Sequence, residues 1–120
     1  MSEAEAKACC ALAYESEAAR WLMGDSFHPG GLALTERLGS LLDLGPTTRV
    51  LDLACGRGAS ALFLAERFAC HVTGVDLGQA NVDAALAEAR SRSLLQFVAF
   101  QQGDAERLPF DDGSFDAVVC

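Results

Sequence analysis

Along this chain, apolar positions recur first at helical spacing and then in short, continuous runs of strand character alternating with helical ones. Residues 3–23 are rich in Ala, Glu, Leu and Arg and contain no Gly or Pro, which predicts a helix. Turn formers gather in Gly24, Asp25, Pro29, Gly30 and Gly31. Helical spacing then resumes over residues 32–44, with Leu34, Leu38, Leu41 and Leu42 on one side. Gly45-Pro46 closes that helix, and Arg49-Val50-Leu51-Asp52-Leu53 reads as a strand buried in a parallel sheet. Gly56 and Gly58 turn the chain, residues 59–68 form an apolar helix, and His71-Val72-Thr73-Gly74-Val75 is a second strand. A further helix spans residues 79–91, with Val82, Ala85, Leu86 and Ala89 three and four apart. Gln96-Phe97-Val98-Ala99-Phe100 is the third strand. The turn Asp111-Asp112-Gly113-Ser114 leads into a fourth strand over residues 115–120.

Strands alternating with helices predict an α/β fold: a Rossmann-like parallel sheet with right-handed crossovers, binding ligands at the carboxyl ends of its strands. At 120 residues, with 51% hydrophobic and 22% charged positions, the chain can bury one core. Nine Lys and Arg against seventeen Asp and Glu give a net charge of −8, which disfavours nucleic acid and anionic lipid as partners. No apolar run approaches the roughly 20 residues of a membrane span, and the acidic, Ala-rich start is unlike a signal peptide, so a cytoplasmic protein is expected. The five cysteines are odd in number and form no CxxC pair, which suggests neither a disulfide framework nor a metal site. The Cys9-Cys10 pair reads as two small residues on a helix.

Gly56-Arg57-Gly58-Ala59-Ser60-Ala61 fits a G-x-G-x-x-G/A turn between a strand and a helix, a place for a nucleotide-type ligand. The same glycines would also serve simply to shape a tight turn. Three carboxylates lie in register with it: Asp52 at the end of strand one, Asp76 at the end of strand two, and Asp104 after strand three. A dinucleotide would bring its anionic pyrophosphate against Asp52, whereas S-adenosylmethionine brings an ammonium and a sulfonium and no phosphate. Asp76 suits a ribose diol, and Asp104 can accept from an adenine amine.

With those residues in place, Val50-Leu51-Asp52-Leu53-Ala54-Cys55-Gly56-Arg57-Gly58 resembles the first motif of the class I S-adenosylmethionine-dependent methyltransferases. Gly74-Val75-Asp76-Leu77 resembles the end of their second strand. Gly103-Asp104-Ala105-Glu106-Arg107-Leu108-Pro109-Phe110 resembles their adenine-contacting segment, and residues 112–119 the start of their fourth strand. The nearest subgroup is the small-molecule enzymes related to quinone-biosynthesis and sterol methyltransferases. The resemblance implies a cofactor site built from Asp52, Ala54, Cys55, Gly56, Gly58, Asp76, Leu77, Gly103, Asp104 and Ala105. In it Asp52 holds the methionine amine, Asp76 the ribose hydroxyls and Asp104 the adenine amine, with Leu77 on the adenine face and the Ala105 amide near a ring nitrogen. It further implies that strand one lies between strands two and four, and that strand four has neighbours beyond it.

The chain therefore divides into an N-terminal helical lid, residues 1–45, and a cofactor-binding domain, residues 46–120, which stops within strand four. The unpaired edge of that strand is expected to self-associate. Tyr14 and His28 are candidate substrate-side residues, although a packed helix face and a solvated loop explain them equally well. Catalytic residues are not identified, because methyl transfer needs a general base only when the nucleophile must lose a proton. Two other functions stay open: a non-catalytic cofactor-binding module, and a nucleotide-dependent oxidoreductase.

Overall fold

The structure is a computed structural model that describes residues 31–120. The helix expected over residues 3–23, the Cys9-Cys10 pair, Tyr14 and His28 lie outside the described residues.

Among the described residues, three helices and four strands follow in the order α1 (Gly31–Leu41), β1 (Arg49–Leu53), α2 (Ala59–Phe68), β2 (His71–Asp76), α3 (Gln79–Ser91), β3 (Val98–Gln102) and β4 (Ala117–Val119). All pairings are parallel, in the spatial order β3-β2-β1-β4. Asp52 stands opposite Gly74 on one side and Val119 on the other. The start of β4 is tied to β1 reciprocally. The Arg49 amide donates to Asp116 Oδ2 at 2.8 Å, and the Asp116 amide donates to the Arg49 carbonyl at 2.8 Å. The Arg49 amide, and then its guanidinium, hold the Asp116 carboxyl below the ordinary carboxylate range.

Because side chains alternate across a strand, Val50, Val72, Val98, Phe100 and Val119 share one face of the sheet with Asp52. The core lies there. Ala61, Leu62, Leu64 and Ala65 of α2 and Val82, Ala85 and Ala89 of α3 pack on that face, as two right-handed crossovers running in one direction require. At Gly74 on β2 this face allows no side chain, since a Cβ would lie 2.6 Å from Phe100 Cδ1 and 2.9 Å from Cys55 Sγ.

α1 packs on α2, but not through the leucines that its spacing singles out. Thr35 and Gly39 are its buried residues, and the Phe68 ring lies where a Cβ on Gly39 would be. Leu34 remains 51% and Leu41 73% exposed. A glycine in the contact line lets the ring approach the helix backbone, which draws the interface away from the bulkier leucines. The helix also ends earlier than Gly45-Pro46. Asp43 adopts a left-handed conformation, its amide bonds to the Ser40 carbonyl and the Leu44 amide to the Gly39 carbonyl, which is a Schellman termination. β3 begins two residues later than its apolar run, and β4 is confined to three residues.

Candidate functional site

Where β1 ends, the chain turns sharply through Ala54, Gly56 and Gly58, all with left-handed φ values of 54°, 58° and 86°. The Gly58 amide closes the turn on the Cys55 carbonyl at 3.0 Å, and the Cys55 amide reaches the Val75 carbonyl at 3.0 Å, anchoring the turn to β2. Gly58 is the N-cap of α2, and no side chain caps that helix. A Cβ there would lie 3.0 Å from both Ala85 Cβ and Phe100 Cζ, so the turn sits directly on the core. The α2 amides nearest the turn have no acceptor within their own helix, which favours a polar ligand beside the turn.

Asp76 holds this turn from below. Its Oδ2 accepts the Gly56 amide at 2.9 Å, and its Oδ1 accepts the Gly78 amide at 2.9 Å and Asn81 Nδ2 at 3.2 Å. A carboxylate offers about four acceptor positions, and these bonds take three. One strand further out, the Gly103 amide donates to the Asp76 carbonyl at 2.9 Å, and Gln102 Nε2 donates to the Leu77 carbonyl at 2.8 Å. Asp104 is set in its own turn, with Oδ1 accepting the Glu106 amide at 2.9 Å and its carbonyl accepting the Arg107 amide at 2.9 Å.

Asp52 is different in kind. It is 0% exposed, and among the described residues neither carboxylate oxygen has a hydrogen-bond partner. It lines a cavity of about 150 Å³ between α1, α2 and the end of β4, together with Thr35, Ser60, Cys120 and the apolar Leu34, Leu38, Leu64 and Val119. Burial, reinforced by the charge of Asp76, pushes its carboxyl up to about 7. Burial and then the same two carboxylates push the Cys55 thiol above its ordinary range, so it stays protonated and is a poor nucleophile.

Residues 50–120, more than half of the chain, match the family model described as a methyltransferase domain. The chain belongs to the class I S-adenosylmethionine-dependent methyltransferases. Among relatives of this chain, a geranyl diphosphate 2-C-methyltransferase of Saccharopolyspora erythraea is 42% identical over 73 residues, covering 61% of this chain and 26% of that protein. A sterol 24-C-methyltransferase of Gibberella zeae is 33% identical over 101 residues, covering 84% of this chain and 27% of that protein. The crystal structure of geranyl diphosphate C-methyltransferase from Streptomyces coelicolor, in complex with Mg2+, geranyl diphosphate and S-adenosylhomocysteine, superposes with a TM-score of 0.67 at 32% identity. That match covers 72% of this chain and 33% of the other. The cyclase SpnF superposes with a TM-score of 0.69 at 37% identity, covering 72% and 32% of the two chains. The chain thus spans about a quarter to a third of the length of these relatives.

The structure joins Asp76 to the glycine turn by a hydrogen bond and puts Asp52 close enough to Asp76 to feel its charge. Leu77, Gly103, Asp104 and Ala105 follow at the ends of the next two strands. Asn81, Thr35 and Ser60 were not legible as site residues. Asn81 is polar and sits five residues beyond Asp76, where its burial beside Val82 was the available signal. Thr35 and Ser60 belong to helices distant in sequence and meet only through the α1–α2 contact. Among the described residues no group of three or more His, Cys, Asp or Glu could hold a metal ion, and no helix is long and apolar enough to cross a membrane.

Proposed function

We propose that this chain binds S-adenosylmethionine across the carboxyl ends of β1, β2 and β3 and serves the methylation of a small-molecule acceptor in the cytoplasm. The observation carrying this reading is the orphaned carboxylate of Asp52, since a fully buried acid with no partner is costly unless a cation meets it. The ammonium of the methionine moiety is such a cation. The group therefore fits the residues present.

In this reading the glycine turn at Gly56 and Gly58, with Ala54 and Cys55, lets the backbone approach the methionine moiety. Asp76 uses its remaining acceptor capacity for the ribose hydroxyls while it fixes the turn. Leu77 lies against the adenine, and Asp104 and the Ala105 amide meet its polar edge, with Gly103 giving clearance. The bound cofactor supplies a methyl group activated by its sulfonium. The chain's task is to orient that group and exclude water, for which positioning carries much of the rate. Residues 46–120 form the cofactor-binding body and residues 1–45 a covering segment. That division is supported by α1, whose Leu34, Thr35 and Leu38 line the Asp52 cavity.

Calorimetric titration with S-adenosylhomocysteine and, separately, with NAD tests the reading. Saturable binding of the first alone is expected, and binding of NAD alone would replace this reading with an oxidoreductase. Asp76→Asn should weaken S-adenosylhomocysteine about tenfold, the effect of a lost charge-assisted hydrogen bond worth roughly 1.5–3 kcal/mol. A second reading, a cofactor-fold module that does not transfer methyl groups, draws support from the likeness to a cyclase. Incorporation of labelled methyl into an acceptor separates the two.

A further inference from the structure

We infer that Thr35 and Ser60, together with Asp52, form a three-acceptor socket for a ligand's ammonium group, so that α1 takes part in selecting the amine end of the cofactor. The inference rests on the proposed cofactor reading and adds to it two residues that no strand-end motif contains.

Asp52, Thr35 and Ser60 come from three separate elements, β1, α1 and the first turn of α2, and all three are buried on the wall of one cavity. Thr35 Oγ1 donates its proton to the Gly31 carbonyl at 3.2 Å, which leaves its lone pairs as acceptors. With that proton committed, Ser60 Oγ donates to Thr35 Oγ1 at 3.4 Å, which still leaves a lone pair on each oxygen for an incoming donor group. An ammonium carries three N–H donors and no acceptor, and two hydroxyl oxygens plus a carboxylate match that count. A carboxylate in the same place would be opposed by Asp52, so the socket discriminates between the two ends of an amino acid.

Size points the same way. A cavity of about 150 Å³ amounts to about five waters at roughly 30 Å³ each, room enough for an amine and the carbon that bears it. Its remaining wall is Leu34, Leu38, Leu64, Val119 and Cys120, of which only the Cys120 thiol is polar, and a thiol is a weak hydrogen-bond partner. The alternative role for the Thr35–Ser60 contact is purely structural, pinning α1 onto α2 beside the Gly39–Phe68 contact.

Two ligands separate these roles: S-adenosylhomocysteine, which carries the amine, and 5′-methylthioadenosine, which has the same nucleoside without the amino acid. Titrating the 120-residue chain, we expect Thr35→Val and Ser60→Ala each to weaken S-adenosylhomocysteine by about fivefold, as loss of one hydrogen bond predicts. Affinity for 5′-methylthioadenosine should stay within about twofold of wild type, which also reports that the variants are folded. Thr35→Ser should restore the wild-type affinity. Equal weakening of both ligands, or no weakening of either, would overturn the socket, as would failure of Thr35→Ser to rescue. A wild-type chain that binds both ligands equally tightly would also overturn it. If Thr35→Val does not fold, Ser60→Ala carries the comparison. A wild-type chain that binds neither ligand refutes the cofactor reading itself, an outcome distinct from failure of the socket.

Discussion

At the scale of single residues, Asp52 shows how one position can be legible in type and illegible in state. Its place at the end of an apolar run identified it as a site carboxylate. Its lack of a partner among the described residues depends on α1 and β4, which no local pattern connects to it. The consequence for stability has a definite sign. The folded-state value of about 7 lies above the ordinary 3.8, so the contribution of this group is fully present below about pH 4 and is lost as pH rises through about 7. Among charged neighbours, Asp76 adds to the shift. Asp52→Asn should therefore stabilise the ligand-free chain more at about pH 8 than at about pH 5, read from urea midpoints. An equal effect at both values would mean that Asp52 is solvated. Gly74 gives a second test at this scale. Gly74→Ala pushes a methyl group into Phe100 and Cys55 and should cost about 1–3 kcal/mol of unfolding free energy. An unchanged denaturation midpoint would contradict the packing described.

At the scale of elements, β1, α2 and α3 have the bounds that the sequence pattern predicted, because each is flanked by glycine or by a clear change of period. The end of α1 is misplaced because a left-handed helix end does not require glycine. Asp43, Ala69 and Ser93, none of them glycine, adopt the left-handed conformation that closes α1, α2 and α3. Searching for a glycine places the end of α1 at Gly45-Pro46, three residues too late for a helix whose last residue is Leu41 and whose closing turn is at Asp43. At Ala69 the amide bonds back to the Ala65 carbonyl in the simpler left-handed termination. A side chain in that conformation is strained, so Ala69→Gly should raise stability by roughly 0.5–1 kcal/mol after allowing for the greater freedom of glycine in the unfolded chain. A destabilised variant in chemical denaturation would show that Ala69 contributes packing that outweighs its strain. The face of α1 was misleading for another reason, since leucine spacing records where apolar residues lie but not which neighbour can approach closely.

At the scale of the whole molecule, strand order follows from the alternation of elements and the handedness of their crossovers. The order reverses between β1 and β4, and the glycine turn leaves β1 beside that point. Open parallel sheets bind their ligands at such a reversal. Among the described residues the outer edge of β4 pairs with no strand, and Val118 is 58% exposed. We expect the isolated chain to self-associate there, with a scattering mass that rises with concentration; a monodisperse monomer at every concentration would contradict this. The central claim is that a ligand's ammonium meets the buried carboxylate of Asp52 beside the glycine turn, and calorimetric titration with S-adenosylhomocysteine at two pH values tests it most directly. Binding requires the ionised form of Asp52, while the ligand amine stays largely charged over this range. Affinity should therefore be about fivefold higher at about pH 7.5 than at about pH 6, with the difference abolished in Asp52→Asn. Binding that is independent of pH in the wild type, or a pH dependence that survives in Asp52→Asn, would contradict the account.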